Sequence, residues 1–175
     1  VVVSFPASYK IVLIGFMGSG KTTIAKMLSK RLGIKWVDID SLVEEEVGIT
    51  IPEIFERYGE RFFREKEKEK LKEVLKSKED MVISTGGGLP AFENSMDLIN
   101  KFSVSIYLES SFDALWERIS KDSYRPLVKL GRKKLKEIFE QRVPFYRKAK
   151  FSVRTDKLSP EETVEEILKI LRSIS

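Results

Sequence analysis

The residues Gly15-Phe16-Met17-Gly18-Ser19-Gly20-Lys21-Thr22 follow the spacing G-x-x-x-x-G-K-[ST], with an apolar run before them and a helical pattern after them. Phosphate binding requires that order. Backbone N–H groups of a glycine-rich turn converge on an anion, and the N-terminus of the following helix adds its dipole. Lys21 then brings a point charge to the β- and γ-phosphates, and the Thr22 hydroxyl is a hard oxygen ligand suited to Mg2+. A loop of this kind binds a nucleotide without saying what receives the phosphoryl group.

Switch GTPases and motor ATPases place an acid after an apolar strand beside such a loop. Here the apolar run Met81–Ser84 leads instead into Thr85-Gly86-Gly87-Gly88, and the acids stand in Asp38-Ile39-Asp40. Side chains i and i+2 share one side of a strand, so both carboxylates are expected to point from a strand end into one crevice. One could hold a metal's water shell while the other meets an acceptor hydroxyl. The competing reading is that Asp40 and Ser41 cap the next helix. Three consecutive glycines weaken a chain entropically unless the backbone needs unusual dihedral angles or very close approach. Beside a phosphate loop, close approach to a small substrate is the expectation, with a plain turn as the alternative. Arg64 falls early in a helical pattern with Glu67 three residues on. Aimed into a site, its planar fork would take a carboxylate through two hydrogen bonds; on a surface the pair contributes only about 0.3 kcal/mol. Arg118, Arg125 and Arg142 are further candidates of the same kind.

Several chemistries are excluded outright. The 175-residue chain has no cysteine and no histidine, so disulfides, thiolate zinc sites, cysteine nucleophiles, Ser-His-Asp triads and HExxH metal sites are all ruled out. Proton transfer must use carboxylates, lysine, tyrosine or water. The 32 basic residues exceed the 27 acidic ones by five. The charges alternate in sign, as in Arg64-Glu-Lys-Glu-Lys-Glu-Lys70, which suits a solvated helix face rather than a stripe along nucleic acid. A modest basic excess fits an anionic small molecule, and no nucleic acid partner is expected. With 42% hydrophobic and 10% aromatic residues the chain is expected to fold. No apolar run approaches the ~18–20 residues of a membrane span. The opening VVVSF is too short and lacks the basic flank of a secretory signal. A cytoplasmic monomer without membrane contact is the expectation.

The elements that must position these groups are legible as alternating short and long segments. Lys10–Ile14, Lys35–Asp38, Met81–Ser84, Val104–Leu108 and Phe151–Arg154 read as buried strands, with room between them for crossover helices. That pattern predicts a parallel sheet covered by helices on both faces. Thr50-Ile-Pro-Glu53 and Ser159-Pro-Glu-Glu162 each match a capping box, Pro160 sits where a helix tolerates it best, and Gly33 marks a helix end. Val164, Ile167, Leu168, Leu171 and Ile174 form one apolar stripe, so the last helix is expected to dock on the core. The polar stretch from 121 to 132, with Pro126 and Gly131, reads as a flap or an ordinary connection.

From about residue 10 to 170 the chain resembles the shikimate kinase family. The resemblance rests on an ordered set: Gly15 to Thr22, Asp38-Ile-Asp40, Gly59-Glu-Arg-Phe-Phe-Arg64, Gly86-Gly-Gly88, Arg125-Pro-Leu127 and Arg142-x-Pro-x-Tyr146. It implies a single domain over 1–175 with the P-loop kinase fold of the nucleoside-monophosphate-kinase type. That fold is an α/β/α sandwich whose five-stranded parallel sheet has the order 2-3-1-4-5. The activity implied is transfer of the γ-phosphoryl of MgATP to the 3-hydroxyl of shikimate, giving shikimate 3-phosphate and ADP. By the same resemblance, Asp40, Lys21 and Arg125 would be catalytic, Arg125 belonging to a lid at about 121–132. Arg64 and Arg142 would clamp the shikimate carboxylate, with Gly86, Gly87 and Gly88 lining the pocket and Glu67 supporting the arginines. Gly15, Gly18, Ser19, Gly20, Lys21, Thr22 and Thr23 would hold ATP phosphates, with Arg118 and Pro160 around the adenine. Thr22 would meet Mg2+ directly and Asp38 through water. Departures are small: Thr22 where serine is frequent, and Val128 where the lid more often has leucine. Rival readings are a gluconate or nucleoside-monophosphate kinase, or a nucleotide-dependent binding module with little turnover. The paired arginines and triple glycine weigh against the first. The missing acid after Met81–Ser84 weighs against a hydrolytic switch.

Overall fold

The computed structural model describes residues 9–121 and 129–174. Five parallel strands, β1 (Lys10–Ile14), β2 (Lys35–Asp38), β3 (Met81–Ser84), β4 (Val104–Glu109) and β5 (Phe151–Arg154), form one sheet in the order β2-β3-β1-β4-β5. The helices are α1 (Lys21–Leu32), α2 (Ile39–Val47), α3 (Ile51–Lys76), α4 (Ser95–Phe102), α5 (Phe112–Ile119), α6 (Arg132–Tyr146) and α7 (Pro160–Ile174).

Alternation along β1 shows how the layers are made. Ile11 and Leu13 face a core shared with Ile24 and Leu28 of α1 and Val164, Ile167 and Leu171 of α7. Val12 and Ile14 face the opposite core, with Leu71 of α3, Ile99 of α4, Leu115 of α5 and Leu135 of α6. Two faces buried on one strand require continuous apolar character, which is why the central strands have no polar rhythm. The edges differ from expectation. β2 is only partly buried on both faces and β5 has one exposed face, so deep burial belongs to the inner strands.

Element ends follow the local chemistry. Thr50 and Glu53 form the reciprocal capping box at the start of α3, and Ser159 and Glu162 do the same for α7, with bonds of 3.0 and 3.1 Å. Gly33 ends α1 in the left-handed conformation, its N–H bonded to the Ser29 carbonyl. The apolar stripe of α7 docks through Leu171, but Ile174 remains 45% exposed because the helix runs past the edge of the core there. α3 is not one straight rod. Gly59 adopts φ 86° and ψ 168°, and the helix restarts after it, so the segment carrying Arg64 takes its own direction. Among the described residues no helix is long and apolar enough to cross a membrane.

Candidate functional site

β1 delivers the chain to the glycine-rich loop at the C-terminal edge of the sheet, and α1 leaves it. Gly20 precedes α1 with φ 86°, a left-handed turn that aims the first helical N–H groups back into the loop. Lys21 Nζ donates to the carbonyls of Gly15 (2.6 Å) and Phe16 (3.0 Å), so the cation is held inside the loop's own curve. Gly15 leaves room for Ser19, whose buried Oγ a Cβ at Gly15 would approach to 2.8 Å. α5 closes the loop from outside: a Cβ on Gly18 would fall 2.5 Å from the Ile119 side chain. Arg118 Nη1 donates to the Gly18 carbonyl at 3.0 Å.

The acids reach the loop by a route other than strand alternation. β2 stops at Asp38, which is the N-cap of α2 and accepts a hydrogen bond from Ser41 N at 3.2 Å. Asp40 is already in the first turn of that helix. The expected strand-end pair is therefore a cap residue and a helix residue, and capping falls to Asp38 rather than to Asp40 or Ser41. Both carboxylates nonetheless line one cleft of about 440 Å3, together with Lys21, Thr22, Gly86 and Gly87. Thr22 Oγ1 donates to Asp38 Oδ2 at 3.0 Å, bringing a hydroxyl and a carboxylate together at the cleft. Ser84, which ends β3, is the register partner of Asp38. The acid beside the phosphate loop thus stands one strand over from the usual position.

The three glycines have no need of left-handed backbone, since none of them has positive φ. Their role is close approach, and the nearest neighbours are the site's own side chains. A Cβ on Gly86 would lie 2.5 Å from Glu67 Oε2 and 2.7 Å from Asp40 Oδ2. One on Gly88 would fall inside the Arg64 guanidinium, and one on Gly87 would lie 3.4 Å from Arg142 Nη1 and 3.6 Å from the Tyr146 hydroxyl. The turn is a bare floor on which four charged groups rest.

Those groups are electrostatically distinct. Arg64 is 11% exposed, pairs with the fully buried Glu67 at 2.5 Å and reaches Glu60 at 3.5 Å. Burial works to lower its pKa, but the charges and hydrogen bonds of these acids leave it raised. The surface-pair alternative for Arg64 and Glu67 is thereby removed. Asp40 has its carboxyl pushed well above the usual range, first by burial, then by the Glu67 charge beside it and by Asp38. Asp40 Oδ1 and Glu67 Oε2 are buried without a hydrogen-bond partner among the described residues. Arg142 has no carboxylate within ion-pair distance among the described residues. Burial lowers its pKa, Tyr146 opposes this, and the neighbouring Arg64 adds to it. Arg64, Arg142 and Gly88 line a second cleft of about 590 Å3, whose apolar walls include Phe55 and Phe92.

A third pocket, of about 320 Å3, lies behind the loop and is lined by Thr23, Arg118, Leu158, Thr155 and Pro160. It brings together Arg118 and Pro160, far apart in sequence. Arg125, and with it most of the expected lid, lies outside the described residues. Sequence reasoning gave no role to Tyr146 or to the pocket walls Thr155 and Leu158. Tyr146 carried a signal, since it stands four residues after Arg142 on one helix face.

A sequence model of the shikimate kinase family matches residues 17–172. A shikimate kinase of Sulfurihydrogenibium sp. is 44% identical over 158 residues, covering 90% of this chain and 95% of that protein. The crystal structure of shikimate kinase from Aquifex aeolicus superposes with a TM-score of 0.85 at 39% identity, covering 94% of this chain and 97% of that one. The enzyme from Acinetobacter baumannii, in complex with shikimate, gives a TM-score of 0.89 at 31% identity over 95% and 94% of the two chains. With the strand order, the phosphate loop and the glycine floor all accounted for, the chain belongs to the shikimate kinase family of ATP-dependent enzymes.

Proposed function

We propose that this protein transfers the γ-phosphoryl group of ATP to the 3-hydroxyl of shikimate, with the acceptor's carboxylate held between Arg64 and Arg142. The observation that carries this reading is the buried Arg142 guanidinium, without a carboxylate partner among the described residues and set beside Arg64 on the glycine floor that also borders the phosphate-loop cleft. A buried cation without a counterion is costly until an anion supplies one. A small acid that also carries hydroxyls can meet both clefts at once.

On this reading the γ-phosphate lies against the loop amides, with Lys21 exchanging its bonds to Gly15 and Phe16 for phosphate oxygens. Asp40, across Gly86 from the arginines, orients the acceptor hydroxyl and takes its proton. The transition state of phosphoryl transfer is loose and anionic, so catalysis is mainly positioning and charge stabilisation. Thr22 and Asp38 fit Mg2+: both offer hard oxygen side by side at the cleft, and Thr22 would hold the ion directly with Asp38 acting through water. Bound there, the ion would neutralise phosphate charge. The pocket of Arg118 and Pro160 would take the adenine, and Arg125 would close over the phosphates from the lid.

The test is ADP release from MgATP in the presence of shikimate, gluconate, AMP or no acceptor. Release with shikimate alone is the expected result. Release with AMP or gluconate in its place would overturn the acceptor, and ATP binding without release in any mixture would favour a binding module.

A further inference from the structure

The two arginines of the acceptor cleft are aimed by different devices. Arg64 is oriented by an anion, Glu67, through a 2.5 Å hydrogen bond. Arg142 is oriented by a neutral group. The hydroxyl of Tyr146, one helical turn further along α6, lies beside this guanidinium over Gly87, and the two interact. That hydroxyl donates to the Gly87 carbonyl at 2.5 Å, which leaves its lone pairs available to the Arg142 guanidinium.

The phenol itself has little freedom. Tyr146 is fully buried, and its ring lies against Tyr107 of the sheet with centroids 5.3 Å apart. It therefore ties three things to the central sheet: the end of α6, the middle of the glycine turn, and the direction of Arg142. The Arg142 guanidinium also sits over the Phe16 ring at 5.8 Å, which guides it without neutralising it.

The choice of a phenol rather than a carboxylate has a consequence for recognition. An acid at position 146 would aim Arg142 equally well, but it would also satisfy the charge and compete with any incoming anion. Glu67 is the one buried carboxylate facing Arg64, Glu60 at 3.5 Å is 67% exposed and screened by solvent, and a neutral phenol lies beside Arg142, so Arg142 has no buried counter-charge among the described residues. A single carboxylate would supply it. We propose that Tyr146 is a positioning residue for acceptor recognition, its phenol fixing both Arg142 and the Gly87 turn while leaving the Arg142 charge free for the acceptor's carboxylate. The inference rests on the reading of Arg64 and Arg142 as the carboxylate clamp.

Steady-state kinetics of Tyr146→Phe, Arg142→Lys and the double variant test it, alongside melting temperatures. Phenylalanine keeps the packing on Tyr107 and removes only the hydroxyl. The expected result for Tyr146→Phe is a shikimate KM raised about 10-fold, as for loss of a hydrogen bond to a charged group, with the ATP KM within about twofold of the parent. The double variant should fall well short of the product of the two single effects, because Tyr146 acts in good part through Arg142. An unchanged shikimate KM, a parallel rise in both KM values, or effects that multiply would each overturn the proposal. The clamp is judged separately: an Arg142→Lys enzyme with the parent's shikimate KM would remove the clamp itself, whereas a raised KM there with a silent Tyr146→Phe would remove only the role of Tyr146. Should the phenylalanine variant not fold, Tyr146→Gln against Tyr146→Leu gives the same discrimination. Glutamine keeps a donor and an acceptor, so it should show the lower shikimate KM, and equal values would overturn the assignment.

Discussion

The phosphate loop and the acceptor cleft meet at Gly86 and Gly87, yet they are built on opposite principles. The loop is local: residues 15–23 are contiguous, its ligating groups are mostly backbone, and its cation folds back onto its own carbonyls. The acceptor cleft is assembled from α2, α3, α6 and the turn after β3, and its working groups are side chains held by other side chains. A backbone device tolerates sequence drift around it and binds any nucleotide triphosphate that fits. A device of side chains resting on bare glycine can be selective, because each member excludes alternatives for the next. On the proposed reading, selectivity in this molecule therefore resides where the construction is least local.

Substitutions that damage one half and spare the other give the sharpest view of this contrast. The largest effect is expected for Asp40→Asn, which keeps the shape and removes the proton acceptor. Turnover should fall by about 10²–10⁴ while the affinity for ATP, measured by titration, stays near that of the parent. Equal losses in turnover and ATP affinity would place Asp40 in the nucleotide half instead. Next comes Gly88→Ala. Its new methyl group would occupy the Arg64 guanidinium position and push it off the buried Glu67 carboxylate, so the melting temperature should fall as well. The shikimate KM should rise by about 10²-fold, in line with a misplaced binding group, with the ATP KM near the parent's. An unchanged shikimate KM would show that the glycine floor serves the fold and not the site.

A smaller effect is expected for Arg64→Lys. A point charge can still pair with Glu67 but cannot present a planar fork to a second carboxylate, so the shikimate KM should rise about 10-fold. No rise would make Arg64 a structural partner of Glu67 alone. The smallest effect belongs to Thr50→Ala at the capping box of α3. Chemical denaturation should report a loss of about 1 kcal/mol with no change in either KM, because the helix break at Gly59 separates the cap from Arg64. A change in the shikimate KM would mean that the break does not uncouple the two halves of α3.

The same contrast explains what the sequence disclosed. The inner strands, the phosphate loop and both capping boxes were readable because each is specified by neighbours in the chain. Asp38 and Asp40 were assigned to one site by a strand argument that the structure replaces: β2 ends two residues earlier than that argument needs, and helix geometry brings Asp40 in. The glycine run signalled close approach, but the approaching groups come from α2, α3 and α6, and no local pattern could name them. Glu67 was visible as an i+3 partner of Arg64, while its burial depends on how α3 lies against the turn after β3. The bend at Gly59 went unread because a lone glycine in a helical pattern is usually absorbed without a break. Tyr146 stood in the sequence only as part of the Arg142-x-Pro-x-Tyr146 pattern, because the Gly87 carbonyl that it bonds is delivered by the fold from elsewhere.

The most direct measurement compares kcat/KM for shikimate with that for its carboxamide at saturating MgATP. The carboxamide keeps the ring and every hydroxyl but removes the negative charge that no carboxylate among the described residues supplies to Arg142. The account predicts a loss of about 10²-fold or more, carried mainly by KM, as for one partner removed from a buried charge pair. Similar values for the two acceptors would contradict it, since the arginines would then not be reading a carboxylate.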